Sequence, residues 1–239
     1  ATALHGSQQT TLVDNPEYDG VFGLWFGKGP GVDRSGDALK HGNYAGSSKY
    51  GGVIALAGDD HSAKSSTTAH QSDHAFIHFG MPILNPATVQ DYIDFGLLGI
   101  AMSRYSGCWI GMKCITDTVE SAASVDIGLD RFKPEFPEDL PSDDDLHLQW
   151  GYIPALSETR LYKKRLPAAQ AFAKVNSLDK VIFQGKRKLA IVTSGKAYLD
   201  VRQALDELGL DDKTCEEIGV SLFKVGMVWP LEPDNIMDF

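Results

Sequence analysis

Basic charge is scarce in this sequence. Its 239 residues carry 22 Lys and Arg against 32 Asp and Glu, a formal net charge of −10. That balance excludes a nucleic-acid or anionic-membrane surface, since both need clustered Lys and Arg. No apolar run approaches the length of a membrane span, and the first residues lack a signal-peptide pattern. Cysteine is also sparse. Cys108, Cys114 and Cys215 are an odd number without close metal spacing, so they read as reduced thiols of a cytoplasmic protein. There is no internal repeat, no G-x-S-x-G elbow for a hydrolase triad, and no phosphate loop. Gly27-Lys28 comes nearest to the last, but Gly23 is one residue too close and Gly29 stands where Ser or Thr is required.

The composition that remains, 43% hydrophobic and 23% charged, is that of a globular protein of one or two domains. Five apolar runs read as buried strands: 21–26 (VFGLWF), 53–57 (VIALA), 109–115 (WIGMKCI), 189–193 (LAIVT) and 220–225 (VSLFKV). VIALA and LAIVT are nearly continuous, as strands covered on both faces must be. Asn85-Pro86 predicts a helix start, followed by a stripe of Val89, Ile93, Leu97 and Ile100. Ala197, Val201, Leu205 and Leu208 repeat the stripe before Gly209, and Arg160–Val175 predicts a further helix that Pro167 would restart or kink. Strands alternating with helices predict an α/β fold with a parallel sheet flanked by helices. Between residues 129 and 156 the pattern breaks. Pro134, Pro137, Pro141 and Pro154 accompany Glu135, Glu138, Asp139, Asp143, Asp144 and Asp145, which is linker chemistry. One α/β unit, 1–128, is expected before it and another, 157–239, after it. The segments ATALHGSQQ and EPDNIMDF read as elements already under way, so a piece of something longer is expected.

In a parallel sheet the loops after the strands emerge at one rim, where ligands bind. The run after VIALA is GDDHSAKSSTTAHQSDHAF, dense in acids, histidines and hydroxyls. Asp59, Asp60 and His61 could bind a divalent metal, as could His70, His74 and His78 at helical spacing. Capping, turn and surface roles compete with both readings. A shared cofactor cleft is another, since Gly-rich loops let a second molecule approach the backbone.

The blocks FGLWFGKGPGVDRSGDALKHGNYAGSSKYGGVIALAGDDHSAKSST, HQSDHAF, MPILNPATVQDYIDFGLLGIAMSRYSGCWIGMKC, ITDTVESAASVDI, LPAAQAFAKVN, IVTSGKAYLDVRQALDELG and LFKVGMVWPLEP resemble the long, fused bacterial indolepyruvate ferredoxin oxidoreductases. The resemblance implies a thiamine-diphosphate-binding fold. Residues 1–128 would be the later part of its pyrimidine-type domain, 129–156 an acidic linker, and 157–239 the start of a transketolase C-terminal-like domain. It implies oxidative decarboxylation of arylpyruvates to acyl-CoA, with ferredoxin as electron acceptor and coenzyme A as partner. Thiamine diphosphate with Mg²⁺ and iron–sulfur clusters would belong to the complete enzyme, a homodimer whose other domains lie in the same polypeptide. The family's pyrimidine-activating Glu falls just before the position matching Ala1, so this stretch alone is expected to be inactive and to bind no cofactor tightly. The rim residues left are Lys28, Gly29, Pro30, Gly31, Asp33 and Arg34 on the cofactor side, and Asp60, His61 and Lys64 toward the substrate. A metal-dependent hydrolase using Asp59, Asp60 and His61, or a non-catalytic assembly domain of the same fold, remain as alternatives. No resident metal is expected in this chain.

Overall fold

The computed structural model describes residues 1–138, 146–149, 151, 153–186 and 188–239. Residues 139–145, with Asp139, Pro141, Asp143, Asp144 and Asp145 of the expected linker, lie outside them. The strands are β1 (Phe22–Lys28), β2 (Gly52–Asp59), β3 (Ile83–Leu84), β4 (Ile110–Ile115), β5 (Lys180–Phe183), β6 (Leu189–Ser194), β7 (Val220–Val225) and β8 (Met227–Trp229). The helices are α1 (Thr2–Ser7), α2 (Gly29–Ala45), α3 (Asp73–His78), α4 (Val89–Ser106), α5 (Thr116–Val119), α6 (Pro154–Arg160), α7 (Leu166–Val175), α8 (Gly195–Glu207), α9 (Asp212–Ile218) and α10 (Pro233–Asp238).

All five expected strands are present. β1, β2, β4 and β3 pair in parallel in that order, and β8 closes the sheet antiparallel to β3. The fold is therefore α/β, with a parallel sheet flanked by helices. One face of the sheet packs Val53, Ala55, Ala57, Ile83 and Trp109 against Val32 and Leu39 of α2 and Phe76 of α3. The other packs Ile54, Ile110 and Met112 against Phe95 and Met102 of α4 and Phe172 of α7. A second sheet orders its strands β5-β7-β6, with β6 parallel and β5 antiparallel to β7.

Three expectations need correction. The cap of α4 is Thr88, not Asn85: its hydroxyl accepts from the Asp91 amide, and the Asp91 carboxylate accepts from the Thr88 amide. The core-facing stripe of α4 is Phe95, Gly99 and Met102, while Leu97 is 41% exposed. Gly99 sets that orientation, because a Cβ there would lie 2.9 Å from Ile54 Cδ1, so the helix comes close to the sheet at this point. LAIVT, expected to be covered on both faces, is an edge strand with Leu189 55% and Val192 47% exposed. The centre of that sheet is β7, a run broken by Ser221 and Lys224.

α6 and α7 are joined by one wide π turn, Leu161–Arg165, just before Pro167. A ring without an N–H cannot close the regular ladder, and the wide turn absorbs it. The turn aims Arg165 inward. Its side chain is fully buried and donates to the carbonyls of Leu146, Asn43, Tyr44 and Ala45, the last three at the C-terminus of α2. Burial pushes its guanidinium down to about 10. Cys108 and Cys215 are buried free thiols and Cys114 is half-buried; burial pushes Cys108 and Cys114 up to about 12.

Candidate rim site

The two expected arms of the site are neighbours. β1 and β2 run parallel in register from Phe22 opposite Gly52 to Lys28 opposite Gly58, so both strands end at the same rim. β2 ends beside β4, with Asp59 opposite Ile115. The β1 arm is tighter than a loop: the strand runs through Lys28 and α2 begins at Gly29. Pro30 sits in the first turn of the helix, a position that needs no N–H. Lys28 reaches across and donates from Nζ to the Ser65 carbonyl.

Asp60 turns back into its own loop. Its carboxylate accepts from the Lys64 amide at 2.9 Å and the Ser65 amide at 2.8 Å, and from the Ser65 hydroxyl at 3.3 Å. These bonds, led by the Ser65 amide, hold its pKa below the usual carboxylate range despite burial. His61 and Lys64 are exposed on the same loop, and Pro30, Asp33 and Arg34 are exposed on α2. Asp59 faces elsewhere. It is buried and accepts from the amide and hydroxyl of Ser72 at 2.9 and 2.6 Å. Asp59 is the last residue of β2 and Asp60 lies beyond it in the loop, so the two carboxylates serve different partners. Among the described residues no group of three or more His, Cys, Asp or Glu is placed to hold a metal.

Sequence reasoning missed His70 as a bridge. Its Nε2 lies 2.9 Å from Asp33 Oδ2, joining the 60–70 loop to α2. Its ring lies over Gly29, where a Cβ would meet Nδ1 at 1.9 Å. The small residue at 29 is thus required by packing within the chain. The signal in the sequence was only that His70 stood among its neighbours His74 and His78. Beyond the rim, Lys113 pairs with Asp73 at 2.8 Å. The second sheet also reaches this end of the first. Asn85, just past β3, donates to the Ser194 hydroxyl at the end of β6, and Gly195 has φ +50 with Asn85 where a Cβ would stand. A separate cavity of about 320 Å³, lined by Asp94, Phe95, Arg131 and Lys180 among others, shares none of these rim residues.

Comparison with known proteins finds the same fold in a solved structure. A solved structure, the 2-oxoglutarate:ferredoxin oxidoreductase from Magnetococcus marinus with 2-oxoglutarate, coenzyme A and succinyl-CoA bound, matches with a TM-score of 0.55 at 15% identity. The match covers 90% of this chain and 43% of that one, so this chain spans less than half the length of the structure it resembles. Residues 179–239 match the family profile of the indolepyruvate ferredoxin oxidoreductase middle domain. The profile match ties residues 179–239 to the indolepyruvate ferredoxin oxidoreductase middle domain, and the structural match shows a shared fold. No curated protein matches. No helix among the described residues is long and apolar enough to cross a membrane.

Proposed function

We propose that this chain forms part of an enzyme that oxidatively decarboxylates arylpyruvates such as indolepyruvate, transferring the acyl group to coenzyme A and electrons to ferredoxin. The observation that carries the reading is the match of residues 179–239 to the indolepyruvate enzyme's middle domain. The aryl class is favoured over 2-oxoglutarate by that match. Further support comes from the rim, where parallel strands deliver exposed cationic groups, Arg34 and Lys64, to one edge, as an anionic 2-oxoacid requires.

Thiamine diphosphate with Mg²⁺ belongs to this reading through the resemblance. The residues present do not make a diphosphate site by themselves. The space over Gly29 is filled by His70, and Lys28 is engaged by Ser65. In the working enzyme, a cytoplasmic homodimer with its clusters in other domains, this rim therefore contributes a wall: Lys64 attracts the substrate carboxylate, and Asp60 keeps the loop that carries Lys64 in one shape. The metal-hydrolase alternative is disfavoured because Asp59 and Asp60 serve separate partners.

The test is viologen reduction by the complete enzyme with coenzyme A. Indolepyruvate is expected to be the better substrate, and Lys64→Ala is expected to raise its KM roughly tenfold, the loss of one charge contact. Faster turnover of 2-oxoglutarate would overturn the aryl assignment. No coenzyme A-dependent reduction with any 2-oxoacid would overturn the enzymatic reading in favour of an assembly domain.

A further inference from the structure

The loop of residues 60–70 is fastened at three levels. At its base the His70 amide donates to the Asp60 carbonyl at 3.0 Å. Inside, the Asp60 carboxylate gathers the Lys64 and Ser65 amides. On its outer side the His70 ring bonds to Asp33, on a different element. A carboxylate oxygen can only accept, so Nε2 carries the proton in this contact. Among the described residues the buried Nδ1 has no hydrogen-bond partner; Asp59 Oδ1 lies 3.9 Å away, beyond hydrogen-bond reach. The ring is closed off on its Nδ1 side by the Gly29 backbone, and its side chain is 16% exposed. An imidazole so enclosed cannot meet a substrate through Nδ1, and its Nε2 is already engaged.

We infer that His70 is a positioning residue. It fixes the loop bearing Asp60, His61 and Lys64 against the first turn of α2, and so sets the spacing between the two arms of the rim. Three features act as a unit: the absent side chain at Gly29 admits the ring, Asp33 orients it, and the Asp60–His70 backbone bond brings it to the right place. Its value to turnover rests on the function proposed above. The fastening itself does not.

Hydrogen exchange on this chain tests the fastening. His70→Ala and Gly29→Ala should each speed exchange of the 60–70 amides roughly tenfold while β2 and β4 keep their protection. Gly29 does not require a positive φ, so the alanine there adds only a steric block to the ring. His70→Gln, which can still donate to Asp33, should restore part of the protection. In spectra of ¹⁵N-labelled histidine, His70 should show a protonated Nε2, and Asp33→Ala should alter that resonance. Unchanged loop exchange in both His70→Ala and Gly29→Ala would overturn the inference. So would equal loss of protection across the whole sheet, which would make His70 a core residue. In the complete enzyme, His70→Ala should raise KM for the 2-oxoacid in proportion to the loop's loosening. An intact fastening in an enzyme that turns over no 2-oxoacid would overturn the proposed function and leave the fastening standing.

Discussion

The two sheets of this chain bury themselves in opposite ways. In the first, β2, β3 and β4 lie between α2 and α3 on one side and α4 and α7 on the other, and their apolar runs are covered on both faces. In the second, only β7 is covered along its length, while Leu189 and Val192 of β6 and Val181 of β5 stand about half exposed. The small core there is Phe183, Leu205, Cys215 and Leu222. VIALA and LAIVT have the same texture in sequence, yet one is central and one is an edge. An unbroken apolar run thus measures how well a strand could be covered, and the topology decides whether it is. The recognisable and the chemical parts also separate. The family match lies on the second sheet, and the rim lies on the first. β8 joins them: it follows β7 in sequence but closes the first sheet beside β3, with Met227 in the first core.

The largest test of this contrast is Arg165. Among the described residues its cation has no carboxylate partner in the hydrogen bonds it makes. Four carbonyls hold it, three of them at the negative end of the α2 dipole. Gly46, at φ +100, brings the chain so near that a Cβ would lie 2.4 Å from Nη2. Arg165→Met leaves those carbonyls unpaired in a buried place and should cost about 3–5 kcal/mol in urea melts. Arg165→Lys should recover little, since an ammonium cannot fork to four acceptors. Hydrogen exchange should show α2 and β1 losing protection first, with β6 and β7 holding theirs. A loss below about 1 kcal/mol would mean that the helix end is solvated instead.

Next in size is the pair that couples the second sheet to α4 of the first. Lys224 Nζ, on β7, lies 2.6 Å from Asp91 Oδ2, on α4, with the Phe95 and Tyr198 rings at 5.9 and 5.0 Å. Both side chains are largely buried. Asp91 keeps its bonds from the Ala87 and Thr88 amides when Lys224 is replaced, and a methionine suits the aromatic walls. Lys224→Met should therefore cost about 2 kcal/mol, less than most broken buried pairs. It should also split one unfolding transition into two, read by exchange at β2 and at β7. A single unshifted transition would show that β8 alone holds the two sheets together.

Which parts were legible in the sequence follows from the same physics. Five strands announced themselves because each is a run of at least five residues in which apolar or β-prone side chains predominate. β3, with two residues, and β8, with three, are too short to carry a pattern. They exist because β4 supplies the ladder for β3, and β3 for β8. β5, Lys180–Phe183, has only four residues and is half exposed, too weak a pattern to stand out after the expected helix. The stripe on α4 was placed on the wrong face because the sequence cannot show that Gly99 marks closest approach. The two rim arms were expected together, since parallel strands oblige it. The bond between His70 and Asp33, 37 residues apart, has no local mark. Phe136 likewise sits in a segment read as solvated linker, yet its ring lies 5.7 Å from Tyr105 and 5.9 Å from Phe172.

The smallest effect is the most specific to the contrast, because each half of the chain holds an aspartate on backbone amides, with opposite outcomes. Asp60 accepts from two amides and two hydroxyls lie close to it, and its pKa is lowered, first by the Ser65 amide. Asp179 accepts from the Gly226 and Met227 amides at 2.7 and 3.1 Å, yet burial, with Glu232 nearby, raises its pKa. The signs follow by linkage. The ionised Asp60 contributes stability above its unfolded pKa, about 4, and that contribution is lost as pH falls through its lowered folded value. The ionised Asp179 opposes folding above that same unfolded value, and acid relieves it as pH falls through the raised folded pKa. Acidification from neutral should therefore first ease the strain at Asp179 and only later loosen the 60–66 loop. Carbon-13 titration of the two carboxyls should place Asp179 above Asp60. Asp179→Asn should leave stability at neutral pH unchanged or slightly higher, and Asp60→Asn should open the loop at every pH and remove its acid dependence. If both carboxyls titrate together, or if Asp179→Asn is the more disruptive of the two, amide count outweighs burial in this chain and the contrast between the two fails at this level.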